Sequence, residues 1–183
     1  MKPITAEIVS LKSEDRNGYY KKRKRIWFPI SQIQIYNTFE ELEMDRYDPY
    51  VFEQYMTVNV HKDLFYYINC PFHRIEFLNR LAVFLRIADK IEQKMLLAAI
   101  QYEPSYDYDI ILDIIDNFDD YEFYDGILTP DDYKEYIIEN LNSFDDLLYD
   151  LEKYVTNKYM NNRLSKERGK FTKYGYIYYK GGV

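Results

Sequence analysis

The sequence predicts an α+β fold: an elongated chain of three small domains, with an acidic ridge in the C-terminal half. Three observations predict it. The first seventy residues are short runs of β-branched and aromatic residues bounded by turn signals. A helical stripe follows, with Leu78, Leu81, Leu85 and Ala88 at steps of three or four. Beyond residue 118, strand and helix signals mix again, and no Pro/Ser/Gly-rich linker divides the chain. The expected domains are 1–70, strand-rich; 71–117, helical; and 118–183, α+β with the acidic segment. A chain of 183 residues with 47% hydrophobic and 30% charged residues is not a disordered one. Its 22 tyrosines suit a thin body in which few positions are fully buried, because Tyr can bury its ring and keep its hydroxyl wet.

The elements follow in order. Residues 6–11 predict a strand, and Asn17-Gly18 is a strong hairpin-turn signal. The five cations at 21–25 read as a solvated loop, or as a contact for nucleic acid or acidic lipid. Residues 26–30 predict a strand with Pro29 near its end. A short helix is expected over 39–48 and one or two strands over 55–72. Residues 73–93 give the clearest helix, 94–101 a second and 106–117 a third. In that third helix Asp109, Asp113 and Asp116 share a face, while Ile111 and Ile115 point elsewhere. A strand over 121–128 turns at Gly126. Thr129 is placed to cap the next helix, with Pro130 first and Asp132 third in it. Ser143 and Asp146 repeat the arrangement, so 131–152 is expected to be helical. Residues 170–183 predict a last strand with a loose tail.

Catalytic vocabulary is thin. His61 and His73 are the only histidines, and Cys70 the only cysteine. A Cys70/His73 nucleophile pair is disfavoured, because sequence adjacency rarely builds the required geometry. There is no Gly-rich phosphate loop, no paired-cysteine zinc spacing and no calcium-loop spacing among the acids. No catalytic residue, cofactor or metal is expected, and the chain reads as no enzyme. With one cysteine, no secretory pattern and no membrane-length apolar run, the expected compartment is the cytoplasm.

Charge is the informative quantity. Residues 101–152 hold 17 Asp+Glu and one Lys, a net of −16, whereas 1–100 carry +2 and 153–183 carry +7. Like charges this dense destabilise a compact state. Helix capping at Thr129 and Ser143 accounts for some of them. The candidate partner-binding residues, standing in for phosphates, are Asp107, Asp109, Asp113, Asp116, Asp119, Asp120, Glu122, Asp125, Asp131, Asp132, Glu135, Glu139, Asp145, Asp146 and Asp150. Of these, Asp107, Asp109, Asp113, Asp116, Glu135, Glu139 and Asp150 are read as no first-turn caps. Duplex DNA carries one charge per ~1.7 Å of axis, so sixteen charges correspond to ~27 Å, about eight base pairs. Carboxylates four residues apart on a helix lie ~6 Å apart, near the phosphate spacing along one strand. Two plainer readings compete: an acidic adaptor with a solvated face, and a metal-dependent enzyme using a few of the acids.

Short motifs in consistent order carry a resemblance. Residues 16–30 ("RNGYYKKRKRIWFPI"), 66–89 ("YYINCPFHRIEFLNRLAVFLRIAD"), 115–140 ("IDNFDDYEFYDGILTPDDYKEYIIEN") and 153–179 ("KYVTNKYMNNRLSKERGKFTKYGYIYY") resemble successive segments of the ArdA antirestriction family of mobile-element proteins. The resemblance implies an elongated homodimer of three-domain subunits that mimics bent B-form DNA and occupies the DNA-binding groove of a type I restriction–modification enzyme. It implies no direct nucleic-acid binding and no membrane. The chain departs from the family in its modest overall charge of −7, and in having Asn157 and Asn162 where family members have aspartates. A CRISPR nuclease, which also holds a duplex in a basic channel, is the alternative target.

Overall fold

A computed structural model describes residues 1–11, 22–45, 47–70, 74–104, 107–141 and 168–181. They form a mixed α+β chain with six α-helices and two small antiparallel sheets. The chain divides into two compact units, Met1–Gln93 and Lys94–Val183.

The first unit is built on β1 (Ile4–Ser10), β2 (Arg23–Phe28) and β3 (Tyr50–Thr57), in the order β2-β1-β3. Ile4, Ala6 and Ile8 lie in the core, opposite Phe28, Ile26 and Lys24 of β2. Alternation places the next residues on the other face: Thr5 opposite Trp27, and Glu7 opposite Arg25. β3 holds one extra residue against β1 between Thr5 and Glu7, and Gln54 takes φ 49 there, a bulge that re-aims the strand. Of the run expected as a solvated loop, Arg23, Lys24 and Arg25 instead form the first half of β2, and residue 21 lies outside the described residues. Their charges are accommodated by facing carboxylates, Lys22 with Glu43, Lys24 with Glu41, and Arg25 with Glu7 at 2.9 Å.

The helix expected at 39–48 lies earlier, as α1 (Gln32–Glu41). Ser31 accepts from the Gln34 N–H, while the Gln34 side chain accepts from the Ser31 N–H. This capping box was present in the sequence as Ser-x-x-Gln and fixes the start. The 55–72 stretch is not all strand. After β3 it forms the short helix α2 (Leu64–Ile68), which buries Leu64 and Ile68. α3 (Ile75–Ile87) buries Leu78, Leu81 and Leu85 as the stripe requires. Asn79 on α3 accepts from Ile30 N at 2.7 Å and donates to Ile30 O at 2.9 Å, tying the helix to the chain beyond β2.

The single helix expected over 73–93 breaks at Ala88-Asp89, because Asp89 begins a new one. Its carboxylate accepts from Ile91 and Glu92 N–H at 2.7 and 2.8 Å, and Glu92 accepts from the Asp89 N–H at 2.6 Å. This starts α4 (Lys90–Tyr102), inside which the division between units falls. Gln93, on the first-unit side, is buried; it accepts from His61 N and donates to Asn59 O.

The second unit contains α5 (Tyr108–Asp116), a 3₁₀ turn (Phe118–Asp120), β4 (Tyr121–Asp125), α6 (Pro130–Leu141), β5 (Lys170–Phe171) and β6 (Gly175–Tyr179). The sheet order is β4-β6-β5. The expected last strand is therefore a hairpin of two. Thr172 closes its turn, donating from its hydroxyl to Gly175 O at 2.8 Å. Gly175 is required by close approach, since a Cβ there would collide with the Tyr124 carbonyl oxygen. Tyrosine has a role here that composition did not predict. Tyr133 of α6 and Tyr176 of β6 are fully buried, with ring centroids 4.7 Å apart. Tyr124, Tyr136 and Tyr178 pack around them. The expected helix from Ser143 onward and the Asn17-Gly18 turn lie outside the described residues. No helix among the described residues is long and apolar enough to cross a membrane.

A candidate acidic interface

α5 is amphipathic in the strict sense. Ile111, Leu112 and Ile114 are buried, and Asp109, Asp113 and Asp116 are exposed on the other side. Burying a large aliphatic side chain contributes about 1.5–3 kcal/mol. Repulsion between acids one turn apart, Asp109 and Asp113, costs only about 0.2–0.5 kcal/mol. The apolar face therefore decides the fold, and the acids are carried outward on it.

Asp107, read from sequence as no cap, is the N-cap of α5: its carboxylate accepts from Ile110 N at 2.9 Å. The sequence signal was Asp one residue before an amphipathic run. Asn117 ends the helix, donating to Asp113 O at 2.9 Å. In the 3₁₀ turn Asp119 is exposed and Asp120 half-buried, its carbonyl accepting from Lys180 N at 2.7 Å.

The acids of β4 have cationic partners. Glu122 lies 3.5 Å from Lys180 Nζ, and Lys94 Nζ bonds both oxygens of Asp125, at 2.8 and 2.9 Å. On α6, Asp132 completes the expected capping arrangement: Thr129 N and Leu128 N donate to its carboxylate, and its own N–H donates to Thr129 Oγ1. Those bonds, that from Leu128 foremost, hold its carboxyl below the usual carboxylate range. Asp131, Glu135 and Glu139 are exposed. Asp145, Asp146 and Asp150 lie outside the described residues.

Ten of the twelve described candidates separate by what each carboxylate does. Asp107 and Asp132 cap helices. Glu122 and Asp125 meet lysines. Asp109, Asp113, Asp119, Asp131, Glu135 and Glu139 are exposed and have no ion pair among the described residues. An ordered set of outward, uncompensated carboxylates can attract a basic surface and release its counterions.

No three side chains of His, Cys, Asp and Glu converge to hold a metal ion among the described residues. Cys70 is half-buried, its carbonyl accepting from the Tyr55 hydroxyl at 2.7 Å; His73 lies outside the described residues. Sequence reading passed over Glu103, whose carboxylate accepts from the Tyr121 hydroxyl at 2.9 Å. Nothing local marks that pair, which the fold alone brings together. No protein-family model matches the chain, and none of the curated proteins is detectably similar to it.

Proposed function

We propose that this protein is a DNA-mimic inhibitor of a host defence nuclease, occupying the DNA-binding groove of a type I restriction–modification enzyme. The observation that carries the proposal is the outward face of α5. Asp109, Asp113 and Asp116 stand there at helical spacing, within a stretch of 52 residues whose net charge is −16. The remaining exposed acids of the 3₁₀ turn and α6 would extend the same field. The resemblance to the antirestriction family adds the rest of the proposal: an elongated body of three small domains with a continuous acidic ridge, a homodimer, and action in the cytoplasm without chemistry on any substrate.

The test is affinity for a purified type I restriction–modification enzyme across a salt series. Binding should weaken steeply as salt rises, because counterion release favours it. One exposed charge contributes about 0–1 kcal/mol, so Asp113→Asn alone should change little. Replacing Asp109, Asp113, Asp116, Asp119 and Asp120 together by Asn should cost roughly a hundredfold in affinity. Affinity indifferent to salt, or abolished by the single substitution, would sink the proposal.

A further inference from the structure

In the second unit, the end of α4, α5, β4 and β6 surround an open cleft of about 440 Å³. Three aromatic rings line it. Tyr102 and Tyr121 meet at 85° with centroids 6.2 Å apart, and Tyr121 and Tyr179 meet at 57° with centroids 5.1 Å apart. Two carboxylates, Glu103 and Asp113, share the lining, and Ile110 and Ile114 supply an apolar wall. The Tyr121 hydroxyl donates to Glu103 and fixes that carboxylate beside the rings. Burial first, and the neighbouring Glu103 second, push the Tyr121 phenol far above the tyrosine range, so it remains a donor. No cation pairs with Glu103 or Asp113 among the described residues, and the nearby Lys170 ammonium is bonded to the Gln101 carbonyl.

We infer that this cleft is a binding site for an alkylguanidinium group, the arginine side chain of a polypeptide. The lining discriminates among ligand classes. An anion is repelled by both carboxylates. A neutral apolar ligand would bury both charges without a counter-charge, which is costly. A hard metal ion is held by several converging carboxylates, and no three His, Cys, Asp or Glu side chains converge among the described residues. An organic cation satisfies every wall: ring faces attract the charge, the carboxylates accept its hydrogen bonds, and the isoleucines cover its stem. Between the two natural cations, guanidinium fits better. It is planar, stacks on aromatic rings and is more weakly hydrated than an ammonium. The inference goes beyond the mimic proposal and does not depend on it, since the cleft would take an arginine whichever protein presents it.

The test is an NMR titration of the full-length protein with Nα-acetyl-arginine N-methylamide, with the capped lysine analogue and free arginine as the other arms. A saturable shift of the Tyr102, Tyr121 and Tyr179 ring signals is expected, with a dissociation constant on the order of 1 mM for so small a probe. Glu103→Gln keeps an acceptor for Tyr121, and Asp113→Asn lies on an exposed helix face. Each should weaken binding about fivefold while the far-ultraviolet circular dichroism stays unchanged. Free arginine should bind more weakly, because its own carboxylate meets Glu103 and Asp113. Absence of a saturable shift, or undiminished binding in the two variants, would overturn the site. A capped lysine binding as tightly would overturn the guanidinium assignment, and free arginine binding more tightly would overturn the polypeptide source.

Discussion

In the first unit the cations of β2 face carboxylates: Lys24 meets Glu41, and Arg25 meets Glu7. In the second, Asp109 and Asp113 of α5 face outward and meet no cation among the described residues. Both stretches are one-signed in sequence. Only the fold separates a charge run neutralised within its own unit from one left as an outward field. A run of like charge is therefore weak evidence of an interaction surface until its partners across the structure are known. The cores differ as well. Ile4, Ile8, Phe28, Phe52 and Leu78 fill the first unit, while the second, besides Leu96, Leu97, Ile111 and Ile114, buries a cluster around Tyr133 and Tyr176.

The comparison of cores can be broken at Tyr133. Tyr133→Ala should destabilise the second unit by about 3–5 kcal/mol, as other large aromatic truncations do. Denaturant unfolding should show the loss; a change below about 1 kcal/mol, the size of an ordinary surface effect, would mean that the tyrosine cluster is not a core.

The comparison of charges is sharpened by Glu7, which is half-buried between Arg25 and Arg23. Arg25 also donates to Gln54 at 3.0 Å, and its Nε has no partner among the described residues. Glu7→Gln leaves the guanidinium without its counter-charge and should cost about 1–3 kcal/mol. Glu7→Gln unfolding at the wild-type denaturant midpoint would show that the pair adds nothing.

A smaller effect belongs to the α6 cap. Thr129→Ala should cost about 1 kcal/mol. Its partner Asp132 has a folded carboxyl pKa below the ordinary value, so its stabilisation is complete above the unfolded value and disappears as pH falls through the folded one. The stability difference between wild type and Asp132→Ala should thus be full at neutral pH and shrink in acid. A difference that grew on acidification would reverse the assigned sign.

The smallest effect is of opposite sign. Asp113→Asn relieves repulsion from Asp109 one turn away and should stabilise by about 0.3 kcal/mol. Thermal unfolding in low salt would resolve it, and a clear destabilisation would show that the carboxylate has a structural partner.

What the sequence by itself determined is whatever depends on near neighbours along the chain. The stripe of α3, the outward aspartates of α5, and the Thr129-Pro130-Asp132 start of α6 follow from helical period and caps spanning a few residues. The same signals were present but unread at Ser31-Gln34 and Asp89-Glu92, which fix the ends that were misplaced. Only the tertiary structure decided the rest. Strand pairing turned Arg23–Arg25 from a loop into an edge of the sheet. Packing turned Leu64–Ile68, rich in aromatic residues, into a helix. The second unit fully buried Tyr133 and Tyr176, where composition had implied few fully buried positions, and gathered Tyr102, Glu103, Tyr121 and Tyr179 around one cleft. The physical reason is that a cap or a stripe is a property of residues a turn apart. Neutralisation, burial and enclosure are properties of residue pairs, and their separations are set across the fold.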